Sequence, residues 1–171
     1  TLSSSSAASD VYKRQIVTSI DAQLNKALVK GKVVLKPFAD SMLGVADLSA
    51  QALNLAELGD DLPKTNINLQ LHATENGSGT LHIGNSAAGL YDSGRIPLSD
   101  LSLSFMQKDN KFVLDPIVVK LGSTQQAAGS IHGTGQYADG ALNISLKTDA
   151  LDLKKLCLLY TSDAADEEDS V

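Results

Sequence analysis

Apolar and polar residues alternate along several stretches of this chain. In residues 66–73, aliphatic side chains occupy the odd positions and Asn, Gln or His occupies the even positions. The same period of two recurs in residues 80–84, 101–105 and 142–147. Because successive side chains of a β-strand point to opposite faces, each stretch predicts a strand with one aliphatic and one polar face. A sheet of such strands is typically antiparallel and has water on one side.

Further strands are predicted where the alternation is weaker, and residues that favour turns separate them. One short helical segment is predicted over residues 55–58, directly before Gly59. The additional strands are predicted near residues 17–24, 32–36, 45–55, 86–92, 112–121 and 127–137. The turns are predicted at Lys36-Pro37, Asn76-Gly77, Ser93-Gly94, Asp109-Asn110 and Asp139-Gly140.

About ten strands of this kind would suit a sandwich or a barrel. Large aromatic side chains, which usually fill such closed cores, are scarce, since the chain has three Phe, four Tyr and no Trp. A weak internal repeat also favours a modular arrangement, because residues 52–58 recur as residues 150–156, 98 positions later. We therefore predict an all-β fold, an elongated and mainly antiparallel sheet with little helix.

The two ends of the chain have a common origin. Residues 5–15 and 157–167 are explained as one DNA sequence read from its two strands, the transposon-end adapter used in preparing sequencing libraries. We therefore interpret residues 1–15 and 157–171 as translated adapter, and residues 16–156 as a fragment of an elongated β-sheet domain cut from a longer gene. Two of the 14 basic and six of the 20 acidic residues lie in these flanks, so the net charge of residues 16–156 is −2 rather than −6.

Residues 16–156 contain no pattern that predicts a metal site, a cofactor site or binding to nucleic acid. The only cysteine, Cys157, belongs to the flank, which excludes disulfides, zinc thiolates and a cysteine nucleophile within the fragment. His72 and His82 fall on the polar faces of strands, and His132 lies in a glycine-rich stretch, so we predict three solvent-facing side chains rather than converging metal ligands. A nearly neutral charge argues against a nucleic-acid partner. No stretch reaches the ~20 apolar residues of a membrane-spanning helix.

Three short motifs resemble catalytic signatures but lack their spacing. Asp60-Asp61 follows Gly59 and predicts a turn rather than an acid/base pair. Gly77-Ser78-Gly79 does not have the Gly-x-Ser-x-Gly spacing of a nucleophile elbow. Gly133-Thr134-Gly135 lacks the third glycine of a dinucleotide-binding loop and predicts a tightly packed or bulged strand. We predict that the fragment is not an enzyme and binds no cofactor.

Three stretches of aliphatic strands interrupted by glycines show a resemblance to a known family over residues 45–156. The first is 50–58 followed by Leu62-Pro63-Lys64-Thr65, and the third is 128–137 with a strand that ends in Ala150-Leu151-Asp152-Leu153. The second and most specific, 79–98, is a strand followed by the pattern N-x-x-A-G-x-x-D-x-G-R-x-P-L. In these stretches the chain resembles the TamB family, the inner-membrane subunit of the bacterial translocation and assembly module, which is related to AsmA-like proteins.

The resemblance implies a sheet curled lengthwise into a U-shaped trough with an aliphatic concave face. It also implies a periplasmic location, anchored in the inner membrane by an N-terminal helix outside this fragment, and an outer-membrane barrel partner bound through another absent region. The implied roles are phospholipid transport between the two membranes and support of outer-membrane protein assembly, with phospholipid acyl chains as the ligand. The side chains then expected to line the groove are Ile67, Leu69, Leu71, Leu81, Ile83, Leu101, Leu103, Phe105, Leu142, Ile144 and Leu146.

Two other functional interpretations remain open from the residues themselves. The aliphatic face could be a closed, dry core, as in a structural or adhesive β-solenoid repeat of a secreted surface protein. A polysaccharide-binding sandwich is a third possibility, but it would require exposed aromatic side chains on the polar faces, and the chain has almost none.

Overall fold

The computed structural model describes residues 15–36, 43–108 and 111–157. Within these ranges nine strands form one sheet in chain order, and every neighbouring pair is antiparallel. The strands are β1 (Ile16–Leu24), β2 (Ala27–Leu35), β3 (Leu43–Leu53), β4 (Ile67–Ala73), β5 (Ser78–Asn85), β6 (Leu98–Lys108), β7 (Lys111–Gly122), β8 (Ala127–Ala138) and β9 (Ala141–Asp149). Three single-turn 3-10 helices are also present, η1 (Leu55–Glu57), η2 (Tyr91–Ser93) and η3 (Leu153–Lys155).

The predicted strands are confirmed with one exception. Residues 86–90 form a loop and residues 91–92 begin η2, because the side chain of Asn85 favours a turn at the end of β5. Its Oδ1 accepts hydrogen bonds from the backbone N–H groups of Asn66 and Ala87, at 3.1 and 3.2 Å. An Asn that binds its own following backbone in this way favours a turn over a continuing strand. The predicted helical segment at 55–58 is confirmed as the single turn η1.

Three predicted turns are confirmed by backbone conformations that favour glycine. Gly77 and Gly94 have φ of 79° and 65°, in the left-handed region. Asp139 and Gly140 have φ of 53° and 78° and join β8 to β9, as expected for a two-residue type I′ hairpin. The predicted turns at Lys36-Pro37 and Asp109-Asn110 extend outside the described residues.

The sheet is open, with β1 and β9 as its two edges. Nine strands at a spacing of ~4.8 Å extend about 38 Å across the stack. The described strands form this one sheet, so neither a sandwich nor a barrel is present among them. Leu71 and Leu81 are nevertheless partly buried, whereas Gln70 and His82 on the other face are exposed. This difference agrees with a sheet that curls towards its aliphatic side, and the predicted all-β, elongated, antiparallel fold with little helix is confirmed.

The long connections that the structure describes lie at one end of the strands. Each 3-10 helix lies there, and backbone hydrogen bonds join neighbouring connections, from Lys64 N to Gly94 O at 2.9 Å and from Tyr91 N to Leu156 O at 3.0 Å. This end, which we call the loop rim, is formed by residues 54–66, 86–97 and 150–157. At the opposite end, the described connections 74–77 and 139–140 are short turns.

Candidate functional site

Three rows of mainly apolar residues cross the sheet side by side, each passing through all nine strands. The strand register aligns them without a break. The first row is Ile20, Gly31, Leu48, Leu71, Leu81, Leu103, Ile117, Gly133 and Leu146. The second row is Ala22, Val29, Ala50, Leu69, Ile83, Leu101, Val119, Ile131 and Thr148. The third row is Thr18, Val33, Ala46, Ala73, Gly79, Phe105, Leu114, Gly135 and Ile144. We call the surface formed by these rows the apolar face, and no row contains a charged residue.

Large side chains on the apolar face lie over glycines of the neighbouring strand. A Cβ added to Gly31 would lie 2.7 Å from Leu48 Cδ1, and one added to Gly133 would lie 2.5 Å from Leu146 Cδ2. These aliphatic side chains therefore occupy the space above the glycines. The apolar face has no gap at the glycine positions, because the side chains of the neighbouring strand cover them.

Phe105 forms the most closely packed part of the apolar face. Its ring lies over Gly79, is 8% exposed and stacks on Phe112 with centroids 5.4 Å apart. Ala46 and Ala73 beside it are 1% and 0% exposed. The apolar face therefore has a small closed core at this place, built without a second layer of sheet among the described residues.

Exposure of the apolar face rises from the middle of the sheet to β9. Leu71, Leu81 and Leu103 in the first row are partly buried, whereas Leu146 in the same row is 55% exposed. Ile144 in the third row is 52% exposed. A strand with a neighbour on each side is shielded by both, and among the described strands β9 has a neighbour on one side only.

All eleven side chains predicted to line the groove lie on this one surface. Nine belong to the three rows, and the other two extend the surface at the strand ends. Ile67 pairs with Leu53 of β3, and Leu142 pairs with Tyr137 of β8. The structure thus brings the predicted residues together, and their contact with lipid remains a prediction.

Sequence reasoning missed the members of these rows in β1, β2, β3, β7 and β8, and Ala73 in β4. In β7 the register shifts between Leu114 and Ile117, around Asp115 and Pro116, so alternation before and after that point falls out of phase. In β8 glycines take apolar-face positions and remove the hydrophobic signal. The missed aliphatic positions are Ile20, Ala22, Val29, Val33, Ala46, Leu48, Ala50, Ala73, Leu114, Ile117, Val119 and Ile131.

The opposite face is polar and carries separate His–Asp pairs. The closest contacts are His72 Nδ1 to Asp47 Oδ1 at 2.5 Å and His82 Nε2 to Asp100 Oδ2 at 2.7 Å. His132 Nε2 lies 3.2 Å from an oxygen of Asp149. The three histidine side chains are between 49% and 58% exposed, which confirms that they face solvent. Within the described ranges, no three His, Cys, Asp or Glu side chains converge as metal ligands.

The remaining short motifs take their predicted structural roles. Asp60-Asp61 lies in a turn closed by a hydrogen bond from Leu62 N to Gly59 O at 3.1 Å. The Gly133-Thr134-Gly135 segment lies inside β8, where Gly133 and Gly135 sit beneath aliphatic side chains of neighbouring strands. Neither arrangement brings reactive side chains together.

The fold and this surface define a class: an all-β protein with one open antiparallel sheet and a continuous apolar face. No protein-family model, curated protein or solved structure matches the chain. In the part of the chain that the structure describes, no helix has the length and apolar character needed to cross a membrane.

Proposed function

We propose that residues 16–156 are a segment of a TamB-like lipid conduit, in which the apolar face is a groove for phospholipid acyl chains. The longer protein would span the periplasm, move phospholipid between the inner and outer membranes and support outer-membrane protein assembly. The observation that carries the proposal is the set of three uncharged rows running across all nine strands. The resemblance of residues 45–156 to the TamB family supports it independently.

The energetics of lipid transfer favour a surface of this kind. Transfer of an acyl chain from a bilayer into water costs a free energy of ~0.8 kcal/mol for each methylene, on the order of 12 kcal/mol for a typical chain. A continuous aliphatic surface removes much of that barrier, and it must also release the chain at its far end. Side chains such as Leu81 and Leu103 offer broad, weak contacts and no charged group that would hold a lipid at one place.

The adhesive alternative gives the apolar face a different role. A β-solenoid stacks parallel strands from successive coils, whereas each of the eight strand pairings here is antiparallel and joins consecutive strands. The described strands therefore do not have the architecture on which that alternative rests. An adhesive module with a dry core should bind no lipid, so lipid capture separates the two proposals.

Site-specific photo-crosslinking tests the proposal. A photoreactive amino acid replaces Leu69, Leu103 or Ile144 on the apolar face in a chain incubated with phospholipid vesicles. The matched controls carry the same group at Asn68, Ser102 or Ser145, each of which is next in sequence and lies on the polar face. We expect crosslinked phospholipid at the three apolar positions and little at the controls. Equal capture on both faces would refute a groove confined to the apolar face.

The gene upstream of residue 16 provides a second discriminator. A single uncleaved membrane helix near its start is expected for the conduit, and a cleaved signal peptide is expected for a secreted adhesive protein. Amplification outward from primers inside codons 16–156 would supply that sequence. It would also test the interpretation of both flanks as translated adapter, because the genomic sequence should diverge from the printed one at residues 15 and 157.

A further inference from the structure

A strand-and-turn unit occurs twice in the structure, as β3 with η1 and as β9 with η3. The second copy lies 98 positions after the first, and the strands begin at equivalent residues, Leu43 and Ala141. Both units place an alanine in the left-handed region at the end of the strand, with φ of 52° at Ala52, the second-last residue of β3, and 44° at Ala150, directly after β9. This conformation is uncommon for a residue with a side chain, so its recurrence shows a true structural repeat.

The turns of the two units are also alike. Leu58 N donates to Leu55 O at 2.9 Å in the first unit, and Leu156 N donates to Leu153 O at 3.0 Å in the second. The residues before the turns, Asn54 and Asp152, have φ of −107° and −101°. The internal repeat seen in the sequence is therefore a repeat of backbone conformation.

Each unit packs in the same way on the strand that precedes it. Leu48 of β3 lies over Gly31 of β2, and Leu146 of β9 lies over Gly133 of β8. The inner edges of β3 and β9 are therefore equivalent in pairing and in packing.

The outer edges of the two units differ. The outer edge of β3 pairs with β4, and Ala46 and Ala50 are 1% and 6% exposed. Their equivalents in β9 are Ile144, which is 52% exposed, and Thr148, which is also exposed. Within the described residues β9 pairs with β8 alone.

Side-chain hydrogen bonds hold β4 on the first unit. Thr65, just before β4, donates its backbone N–H to Asn54 Oδ1 at 3.1 Å, and its Oγ1 accepts from Leu55 N at 2.9 Å. Asn68 Oδ1 accepts from Ala52 N at 3.1 Å. The second unit has the same backbone conformation, and Asp152 occupies the place of Asn54. Its Oδ1 accepts from Lys154 N at 3.2 Å and its Oδ2 lies 3.4 Å from Lys155 Nζ, and each carboxylate oxygen has the capacity to accept a further hydrogen bond.

We propose that the outer edge of β9 is a strand-binding site for an antiparallel β-strand of the β4 kind. Such a strand has aliphatic residues at alternate positions and a threonine and asparagines at its start. Continuity with the β3–β4 pairing predicts its register, in which Leu71 of the bound strand faces Leu146, and Gln70 faces Lys147. Leu71 and Ala73 of the bound strand then face Leu146 and Ile144, Leu69 faces Thr148, and no like charges face each other. Backbone hydrogen bonds along the edge would supply affinity, and the alternation would supply specificity.

A peptide with the sequence of residues 64–74 tests the proposal on the full chain. We expect a fluorescently labelled peptide to show saturable binding by anisotropy, and Ile144→Lys in β9 to weaken binding at least about tenfold. The control Ala22→Lys places the same charge on the apolar face of β1, at the other edge, and should leave binding unchanged. A peptide carrying Leu69→Lys and Leu71→Lys should not bind. Circular dichroism of each chain variant checks that the sheet remains folded.

Crosslinking and sedimentation decide which edge and which occupant are involved. A photoreactive leucine at position 71 of the peptide should label β9 at Leu146. Labelling at Leu48 instead would show that the peptide replaces β4, and it would overturn the proposal. Analytical ultracentrifugation of the chain alone provides the other test. A dimer that Ile144→Lys dissolves, together with failure of the peptide to bind, would assign the edge to a second copy of this chain and would also overturn it.

Discussion

The two faces of this sheet are built from alternate residues of the same strands, yet they hold different chemistry. Ser102 and Leu103 are adjacent in β6, but Ser102 lies in a row with His82, whereas Leu103 lies in a row with Leu81. The faces share one backbone, one length and the same two edges. Any difference between them in stability or ligand binding must therefore arise from their side chains. Substitutions of neighbouring residues can test the faces one at a time.

The largest difference between the faces is expected at Phe105 and Met106. Phe105→Ala should lower the free energy of unfolding by about 3 kcal/mol, because it removes a buried ring from contact with Phe112 and Ala73. Met106→Ala on the polar face, where Met106 is 52% exposed, should lower it by less than about 1 kcal/mol. Urea denaturation followed by circular dichroism measures both values. Equal losses would show that the apolar face has no closed core at this place.

Two glycines of β5 sharpen the comparison, because they lie on opposite faces. Gly79→Ala should destabilise the chain by about 2 kcal/mol, since its Cβ would collide with the Phe105 ring and the His72 carbonyl oxygen. Gly84→Ala has only His82 Cε1 nearby, at 3.9 Å, and should be neutral or stabilise the strand by about 0.5 kcal/mol. Thermal melts of the two variants would show shifts of opposite sign or of very unequal size. A neutral Gly79→Ala would mean that Phe105 does not lie over β5.

The smallest effect is expected from the charge pairs of the polar face. Asp100 lies 2.7 Å from His82 Nε2 and 3.6 Å from Lys120 Nζ. Because the partners are largely exposed to water, Asp100→Asn should lower the free energy of unfolding by less than about 1 kcal/mol, and added salt should reduce the difference further. A loss of several kcal/mol that salt does not change would assign this pair a structural role comparable to that of Phe105.

The alternation of apolar and polar residues made several strands and the apolar side of each predictable from the sequence. Wherever every second residue was Leu or Ile, as in β4 and β6, both the strand and its apolar side followed from the pattern. The repeat of residues 52–58 at 150–156 favoured a modular sheet, and in the structure it corresponds to the turns η1 and η3, although η3 was not predicted.

Tertiary packing decided the features that alternation could not reveal. Gly133 carries no side chain, so nothing local shows that Leu146 of the next strand covers it. The register shift around Asp115 and Pro116 hid the apolar row of β7, because a bulge inverts the phase of the pattern. The loop at 86–90 formed because Asn85 Oδ1 accepts hydrogen bonds from Ala87 N and from Asn66 N. The contact with Asn66, just before β4, depends on β4 being in place.

The central claim is that lipid binds to the apolar face and not to its polar counterpart. The most direct measurement compares phospholipid uptake by Leu103→Lys and Ser102→Lys, which add the same charge to adjacent residues on opposite faces. Each folded variant is incubated with vesicles of radiolabelled phospholipid, and the lipid that elutes with the protein is counted after gel filtration. The account predicts that Leu103→Lys carries at least about tenfold less lipid than the unsubstituted chain, whereas Ser102→Lys carries as much. Equal uptake by the two variants, or no uptake by the unsubstituted chain, would contradict it.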